Sequence, residues 1–418
     1  MRLQLASPAE HPRISGLPFA QSLDDWDLPQ IYGVLGIHRH VVRRVMLGPN
    51  AYVVKELPDD LAEREYRLLR ELADDGLPTA EVVAVVTGRS DQRDGILITR
   101  HLDYSLPFRS LLSGATMTAS HSEHLLDALV GLLVRLHLEG FYWGDCSLSN
   151  TLFRRDAGAL SAYVIDVETG ERHHRLTDGQ RTLDLDIATE NIAGGLLDLQ
   201  AAGHLSDEID PAEIAIALGD RYHNLWAELT RTDEFEPQDS FRIEQRLDRL
   251  HDLGFDVDEM EIITTDDGQQ LRIVPRVVEH GYHLHRLHDL TGLVTQENQA
   301  RRLLNDIRAF ASEHSDRTAQ TLDDTTAADR WLHERFEAVI DAIPAELVSK
   351  LEEAELYHQF LEHRRSISEA AGRDIALDEA VASFIDGVLT TAPHEQIHIP
   401  EPTTEHPVIG SGPGATDR

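Results

Sequence analysis

The sequence predicts an α+β protein: a strand-rich first part, a middle of helices and short strands, and a mainly helical C-terminal domain holding one β-hairpin. Three observations carry this. Runs of β-branched residues broken by turn chemistry fill the chain up to Arg100. From Leu125 the leucines recur at helical spacing. After Leu205 helical patterns dominate.

In chain order, residues 1–30 mix prolines with acidic and small residues and are expected to form an irregular extension. His38–Met46 is rich in valine, Gly48-Pro49-Asn50 supplies a turn, and Ala51–Leu57 resumes the apolar run, which together predict a hairpin. Leu61, Leu68, Leu69 and Leu72 then mark a helix stopped by Gly76. Val82–Thr87 and Gly95–Arg100 are two further strands. A long amphipathic helix follows, with Leu125, Leu129, Leu132, Leu133 and Leu136 on one stripe and Gly140 at its end. Short strands at Asn150–Phe153 and Ala162–Ile165 flank a loop, and Arg181–Leu199 is helical again.

Beyond Leu205, helices are expected at Ile214–Thr230, Phe241–Leu250, Gln296–Ser312, Trp331–Ile343, Ala345–Arg364 and Ala376–Leu389. Pro344 suits the first position of a helix. Met260–Val278 reads as a hairpin turning at Asp266-Asp267-Gly268, with Pro275 weakening its second strand. Ser312–Asp329 is polar and is expected to be a flexible connector. The segment after Pro393 is rich in Pro, Gly, Thr and Glu, so residues 391–418 are expected to be disordered.

Composition excludes several functions. The chain has 418 residues, enough for two domains, and a 41% hydrophobic share that excludes wholesale disorder. Against 38 basic side chains stand 74 acidic ones, a net charge of −36, which repels phosphate backbones and anionic bilayers. No nucleic-acid partner and no membrane insertion are therefore expected, and no apolar run is long enough to span a bilayer. Met1–Ser15 lacks the apolar core of a signal peptide. Cys146 is the single cysteine, which excludes an intrachain disulfide and fits a reduced, cytoplasmic setting. His280, His283, His285 and His288 match no zinc spacing and belong to a chain with 23 histidines, so no metal is assigned to them. Arg154-Arg155 and Arg301-Arg302 are able to meet an anionic substrate against the acidic background, but paired arginines are more often solvated, and that is the expectation here. The chain has two lysines, Lys55 and Lys350, so each one retained is informative.

Three polar clusters precede Leu205. Lys55 ends the strand Tyr52-Val53-Val54-Lys55, and the helix after it carries Glu65 on the same stripe as Leu61, Leu68 and Leu72, while Glu63 points elsewhere. An inward glutamate with an inward lysine suits an ammonium held toward a nucleotide phosphate. Gly144-Asp145-Cys146-Ser147-Leu148-Ser149-Asn150 puts an aspartate and an asparagine in one loop. There the aspartate can orient or deprotonate an attacking hydroxyl, and the asparagine can ligate Mg²⁺. In Ile165-Asp166-Val167-Glu168 an acid follows an apolar strand, where a carboxylate can chelate a hard cation.

In this order and spacing, Lys55–Leu199 resembles the kinase-like superfamily, and within it the lipopolysaccharide-kinase (Kdo/WaaP) and aminoglycoside/choline-kinase types. Leu136-His137-Leu138-Glu139-Gly140-Phe141-Tyr142-Trp143-Gly144-Asp145 looks like the family's stretch of Leu-His, Gly and His-Gly-Asp, and Ile165-Asp166-Val167-Glu168 looks like its metal-binding motif. The whole chain is similar to a bacterial family in which a kinase-like domain precedes a domain of unknown function. The resemblance implies a two-lobed protein-kinase-like fold, with an N-lobe over 31–103 and a C-lobe over 104–205, followed by the helical domain over 206–390. It implies that Lys55 binds the α/β-phosphates of ATP and Glu65 holds it, that Asp145 is the catalytic base, and that Asn150 and Asp166 ligate magnesium, assisted by Glu168. The acceptor would be a hydroxyl on a sugar, a lipid-linked molecule or a small molecule.

Three departures go with the resemblance. Trp143 stands where the family has histidine, Ser147 where protein kinases place a lysine, and no Gly-x-Gly-x-x-Gly precedes Lys55, only Gly33-Val34-Leu35-Gly36 and the Gly48 turn. They leave open a second reading, a pseudokinase that binds nucleotide or scaffolds a protein partner through its C-terminal domain without transferring phosphate.

Overall fold

Alternation with a period of two turns the valine-rich first part into a sheet. The computed structural model describes residues 1–28, 31, 40–108, 111, 119–206, 209–230, 233–235, 255–264, 271–318, 321–392 and 395. In it β1 (Arg2–Leu5), β2 (Val41–Leu47), β3 (Asn50–Leu57), β4 (Val82–Thr87) and β5 (Gly95–Arg100) form an antiparallel sheet in the order β1-β4-β5-β3-β2. Helix α1 (Asp59–Asp74) connects β3 to β4 along the chain. The fold class is the expected α+β, with a sheet-rich N-terminal part and a mainly helical C-terminal one.

The opening residues depart from the expected irregular extension. β1 pairs with β4, Arg2 opposite Thr87 and Leu5 opposite Ala84. Ile14, Leu17, Phe19, Leu23 and Trp26 then bury themselves with Val45, Tyr52, Val54, Ile96 and Ile98 to form a core on one face of the sheet. Their spacing has neither helical nor strand period because the segment advances through short 3₁₀ turns at Ile14–Gly16 and Leu23–Asp25. A buried ion pair fastens it. Glu56 accepts from Ser22 Oγ (3.0 Å) and Leu23 N (3.1 Å) and pairs with Arg89 Nη1 (2.5 Å), while Arg89 Nε donates to the Phe19 carbonyl (2.8 Å).

Contacts divide the described chain into two units, one holding Met1–Glu63 with Val82–His101, the other Arg64–Glu81 with Leu102–Ile397. In the second unit β6 (Leu106–Pro107) joins β8 (Thr151–Asp156) and β9 (Ala159–Val164) in a three-stranded sheet. Helix α2 (Ala119–Leu138) covers the expected leucine stripe, and β7 (Phe141–Tyr142) pairs with β10 (Glu171–Arg172). Helices α3 (Asp178–Ala201) and α4 (Pro211–Thr230) follow. α3 begins with a capping box in which the side chains of Thr177 and Gln180 satisfy each other's backbone N–H.

The C-terminal region begins with β11 (Asp233–Phe235), β12 (Phe255–Thr264) and β13 (Leu271–His280), in the order β11-β13-β12. Its hairpin is longer than Met260–Val278. Pro275 is tolerated because β11 pairs only with Leu271–Ile273, and the register with β12 shifts beside Met260, the residue opposite Pro275. The expected helix Phe241–Leu250, the turn at Asp266-Asp267-Gly268 and residues 396–418 lie outside the described residues.

Helices α5 (Tyr282–Thr291), α6 (Glu297–Thr318), α7 (Asp324–Trp331), α8 (Glu337–Asp341), α9 (Ala345–Val348), α10 (Glu353–Ala371) and α11 (Leu377–Phe384) share a core containing Trp331, Phe336, Tyr357, Phe360 and Phe384. The connector expected over Ser312–Asp329 is largely helical. α6 continues to Thr318, and Asp323 caps α7 by accepting from Thr326 N (3.0 Å). Its polar side chains face outward and pair there, as Glu313 does with Arg335 (2.8 Å). Among the described residues no helix is long and apolar enough to cross a membrane.

Candidate active site

The Gly-Asp loop starts where α2 ends. Gly140 adopts a left-handed backbone (φ 73°) and reverses the chain into β7, and a side chain there would run into the His173 carbonyl. Gly144 repeats the left-handed geometry (φ 74°) immediately before Asp145.

Beneath the loop lies Asp184 of α3, with no exposed surface. Its Oδ2 accepts from Trp143 N (2.7 Å) and its Oδ1 from Gly144 N (2.8 Å), so one carboxylate determines the backbone path into Asp145. Oδ2 also meets His137 Nε2 (3.0 Å), and His137 Nδ1 meets the Tyr222 hydroxyl (2.6 Å). Burial raises the Tyr222 phenol well above its ordinary value, so it keeps its proton beside His137.

Both oxygens of the Asp145 carboxylate accept amide hydrogen bonds, Oδ2 from Asn150 Nδ2 (2.9 Å) and Oδ1 from Asn191 Nδ2 of α3 (3.0 Å). The Asn150 amide also reaches the Asp145 carbonyl (3.0 Å), and the Asn191 amide the Cys146 carbonyl (3.2 Å). Burial raises the Asp145 carboxyl above its ordinary value. The negative charges of Asp166 and Glu168 push the same way, and the two amides oppose them. Cys146 is buried, and burial pushes its thiol far up.

Asp166 follows β9, at the base of the β8–β9 hairpin. Asn150 sits directly before β8, the register pairs Thr151 with Val164, and Ile165 N donates to the Asn150 carbonyl (3.2 Å). The two proposed metal ligands therefore leave the same end of one hairpin. Asp166 Oδ1 accepts from Glu168 N (3.1 Å), which turns the Asp166-Val167-Glu168 segment on itself. Trp143 has a visible task in this sequence: its buried indole Nε1 donates to the Asp166 carbonyl (2.8 Å), and Thr169 Oγ1 returns a bond to the Trp143 carbonyl (2.8 Å). Ser147 shapes the loop, its Oγ accepting from Asn150 N (3.3 Å) and lying 3.0 Å from Ser149 Oγ.

The donor set fits magnesium. Asn150 spends its amide nitrogen on Asp145, which leaves its oxygen as the atom to offer a cation. Asp166 and Glu168 add carboxylate oxygens, and a hard divalent ion takes such a set. Lys55 lies in the sheet unit, on β3 between Val42 and Leu97. Its strand alternates, so Tyr52, Val54 and Glu56 face the N-terminal segment and half-buried Lys55 faces the opposite side. Glu65 on α1 is 1% exposed, as its stripe predicts, while Glu63 is exposed and accepts from Thr87 Oγ1 (3.2 Å).

The structure brings Asp145 and Asn150 into contact and sets Asp166 and Glu168 beside them at the hairpin base. Asp184 and Asn191 are the residues that sequence reasoning missed. A signal existed: Asp184 shares the α3 stripe of Ala188 and Ile192, and Asn191 lies seven residues on, two turns along one face. An acid and an amide on a buried stripe need partners. Of the histidine group, His283 is buried and held by Glu297 (2.5 Å), a structural pair.

Residues 34–189 match the model of the lipopolysaccharide kinase (Kdo/WaaP) family, and residues 224–389 match a domain of unknown function, DUF4032. Among solved structures the chain is similar to WaaP in complex with acyl carrier protein, with 19% identity and a TM-score of 0.36 over 54% of this chain and 100% of that one. It is also similar to an aminoglycoside-3'-phosphotransferase of type VIII, with 19% identity and a TM-score of 0.34 over 48% of this chain and 88% of that one. No curated protein matches. A segment similar to the lipopolysaccharide kinase (Kdo/WaaP) family thus precedes one similar to DUF4032.

Proposed function

We propose that the protein is an ATP- and Mg²⁺-dependent phosphotransferase of the kinase-like type that acts on a hydroxyl. One observation carries the reading: Asp145 is held by two amides, and one of them belongs to Asn150, which leaves the same end of the β8–β9 hairpin as Asp166. That is the arrangement phosphoryl transfer needs, where positioning and charge neutralisation do most of the work.

In the proposed step Asp145 orients the acceptor hydroxyl and takes its proton as the oxygen bonds to the γ-phosphorus. The bond from that phosphorus to the β–γ bridging oxygen breaks, and ADP leaves with the electron pair. Asn150 and Asp166 would hold magnesium, with Glu168 assisting, and the ion would supply charge neutralisation at the phosphates. Lys55 is assigned to the α/β-phosphates and Glu65 to holding it. Ser147 carries no charge at the place where protein kinases use a lysine, which favours a sugar, lipid-linked or small-molecule acceptor over a protein, in a cytoplasmic setting. The same serine favours the second reading, a pseudokinase whose C-terminal domain meets a protein partner.

Asp145→Asn in the full chain separates the two. For a phosphotransferase the turnover of ATP with a hydroxyl acceptor falls by about 10²–10⁴-fold while Mg·ATP affinity holds. A wild-type protein that binds Mg·ATP and phosphorylates no member of a broad panel of hydroxyl acceptors belongs to the second reading.

A further inference from the structure

The two ends of the β8–β9 hairpin have different surroundings. The near end carries Asn150 and Asp166. The far end is embedded in the C-terminal region through buried polar bonds. Asp156, the last residue of β8, is 1% exposed. Its Oδ1 accepts from Gln299 N (2.8 Å), and its Oδ2 accepts from Asn298 Nδ2 (3.0 Å) and Ser161 Oγ (3.0 Å). Gln299 has no exposed surface, and its Nε2 donates to the Arg155 carbonyl (3.0 Å) and to Glu355 Oε2 (3.2 Å). The same Glu355 oxygen accepts from Ala157 N at the hairpin turn (3.0 Å).

Charged and hydroxyl pairs extend this seam along the strands. Arg154 Nη2 meets Glu352 Oε1 (3.0 Å), Arg155 Nε meets Glu395 Oε1 (2.6 Å), and the Tyr163 hydroxyl donates to Gln296 Oε1 (2.7 Å). Arg154 and Arg155, expected to be solvated, are instead part of the seam. Three separate stretches of the C-terminal region thus grip one hairpin: the start of α6, the start of α10, and Glu395.

A two-stranded hairpin is marginal by itself in water and takes its place from what it packs on. Here that is β6 and the Pro78–Ala80 stretch at the near end and the C-terminal region at the far end. A satisfied buried polar network is rigid, because each donor and acceptor lost inside it goes unpaired. Where the far end sits therefore contributes to where the near end sits.

We propose that the C-terminal region is a positioning element of the phosphotransfer site, setting Asn150 and Asp166 in place by clamping the far end of the hairpin that carries them. This gives the DUF4032 segment a role within the catalytic unit, and it rests on the phosphotransfer reading above. Any partner that strains the seam would act on the metal side of the site.

The test uses the full chain and its Asp156→Asn variant, whose new amide nitrogen faces a donor whichever way it turns, the Gln299 N–H on one side or Asn298 and Ser161 on the other. ATP binding is measured with and without Mg²⁺, together with hydrogen exchange across residues 151–164. The expected result is that the gain in ATP affinity conferred by Mg²⁺ shrinks about 10-fold, the low end of what supporting partners of metal ligands contribute. Metal-free ATP affinity stays at the wild-type value, and exchange quickens at 151–164 while α2 keeps its protection. If Asp156→Asn lowers the melting temperature of the whole chain, Asn298→Ala removes one donor, leaves the carboxylate in place and carries the same readouts. Variants whose hairpin exchanges faster but whose Mg²⁺-dependent gain equals wild type overturn the inference and leave the phosphotransfer reading standing. A wild-type chain that does not bind Mg·ATP overturns that reading, and the inference with it.

Discussion

Glu56 in the sheet unit and Asp184 beneath the Gly-Asp loop are both buried carboxylates, and the molecule satisfies them in opposite ways. Glu56 is answered by a full positive charge, the buried guanidinium of Arg89, and through it the N-terminal segment is fastened to the sheet. Asp184 has a histidine and two backbone N–H groups as its partners in the site. The first arrangement ties two pieces of chain together mainly through side-chain charge, with the Leu23 N–H as a backbone donor to Glu56. The second dictates the backbone path, because main-chain N–H groups can point at one carboxylate only when the loop has one shape. An ion pair suits a scaffold, and a carboxylate that collects backbone donors suits a loop whose next residue is the proposed base.

Breaking each brace separately should expose this division. The larger loss of stability belongs to Arg89→Ala, which leaves Glu56 buried and unpaired at a cost of about 3–5 kcal/mol. Urea unfolding should register that loss, and hydrogen exchange should quicken at residues 14–26 while residues 143–150 remain protected. Asp184→Asn should cost less, about 1–3 kcal/mol, because the amide keeps one acceptor and strands one donor. Its effect on phosphotransfer should nonetheless exceed that of Arg89→Ala, since the misplaced segment ends at Asp145. Equal effects on turnover from the two variants would mean that the loop does not depend on Asp184.

The smallest expected effect concerns pH. Burial raises the carboxyls of Asp156, Glu352 and Glu395 above their ordinary values. Asn298, Gln299 and Ser161 oppose the shift at Asp156, Arg154 opposes it at Glu352 and Arg155 at Glu395. The charge of Glu355 adds to it at both glutamates. A carboxyl raised in the folded state binds its proton more tightly there than in the unfolded chain. Its contribution to stability is therefore lost as pH rises from the ordinary carboxyl range through the raised value. The melting temperature should climb as a neutral solution is acidified toward that range, and Glu352→Gln should flatten the climb. Parallel profiles for the two proteins would place the titration elsewhere.

How much was legible follows from which interactions are local. Val82–Thr87 and Gly95–Arg100 are found as strands with the expected bounds, because a run of β-branched residues between turn signals needs no distant partner to be recognised. The inward placement of Glu65 likewise follows from the 3.6-residue period of its own helix. The N-terminal segment was misread because its apolar residues follow 3₁₀ turns, which leave no such period. The polar connector was misread because a helix whose outward side chains pair with one another looks like loop composition. In the proposed site, the residue types of Asp145, Asn150, Asp166 and Glu168 could be read from their motifs, whereas Asn191 reaches Asp145, and Asp184 the backbone just before it, from 40 or more positions away in the chain.

The amino-acid order by itself determined the strands and helices with a clear period, the inward placement of Glu65 and the residue types of the proposed site, since those depend on periods and neighbours within a few residues. Only the tertiary structure decided what holds them: the carboxylate of Asp184 under the loop, the amide of Asn191 on Asp145, and the seam from Asp156 to Gln299 and Glu355. Hydrogen bonds of that kind are set by where two distant backbones come to rest, and no pattern along one chain segment contains that distance.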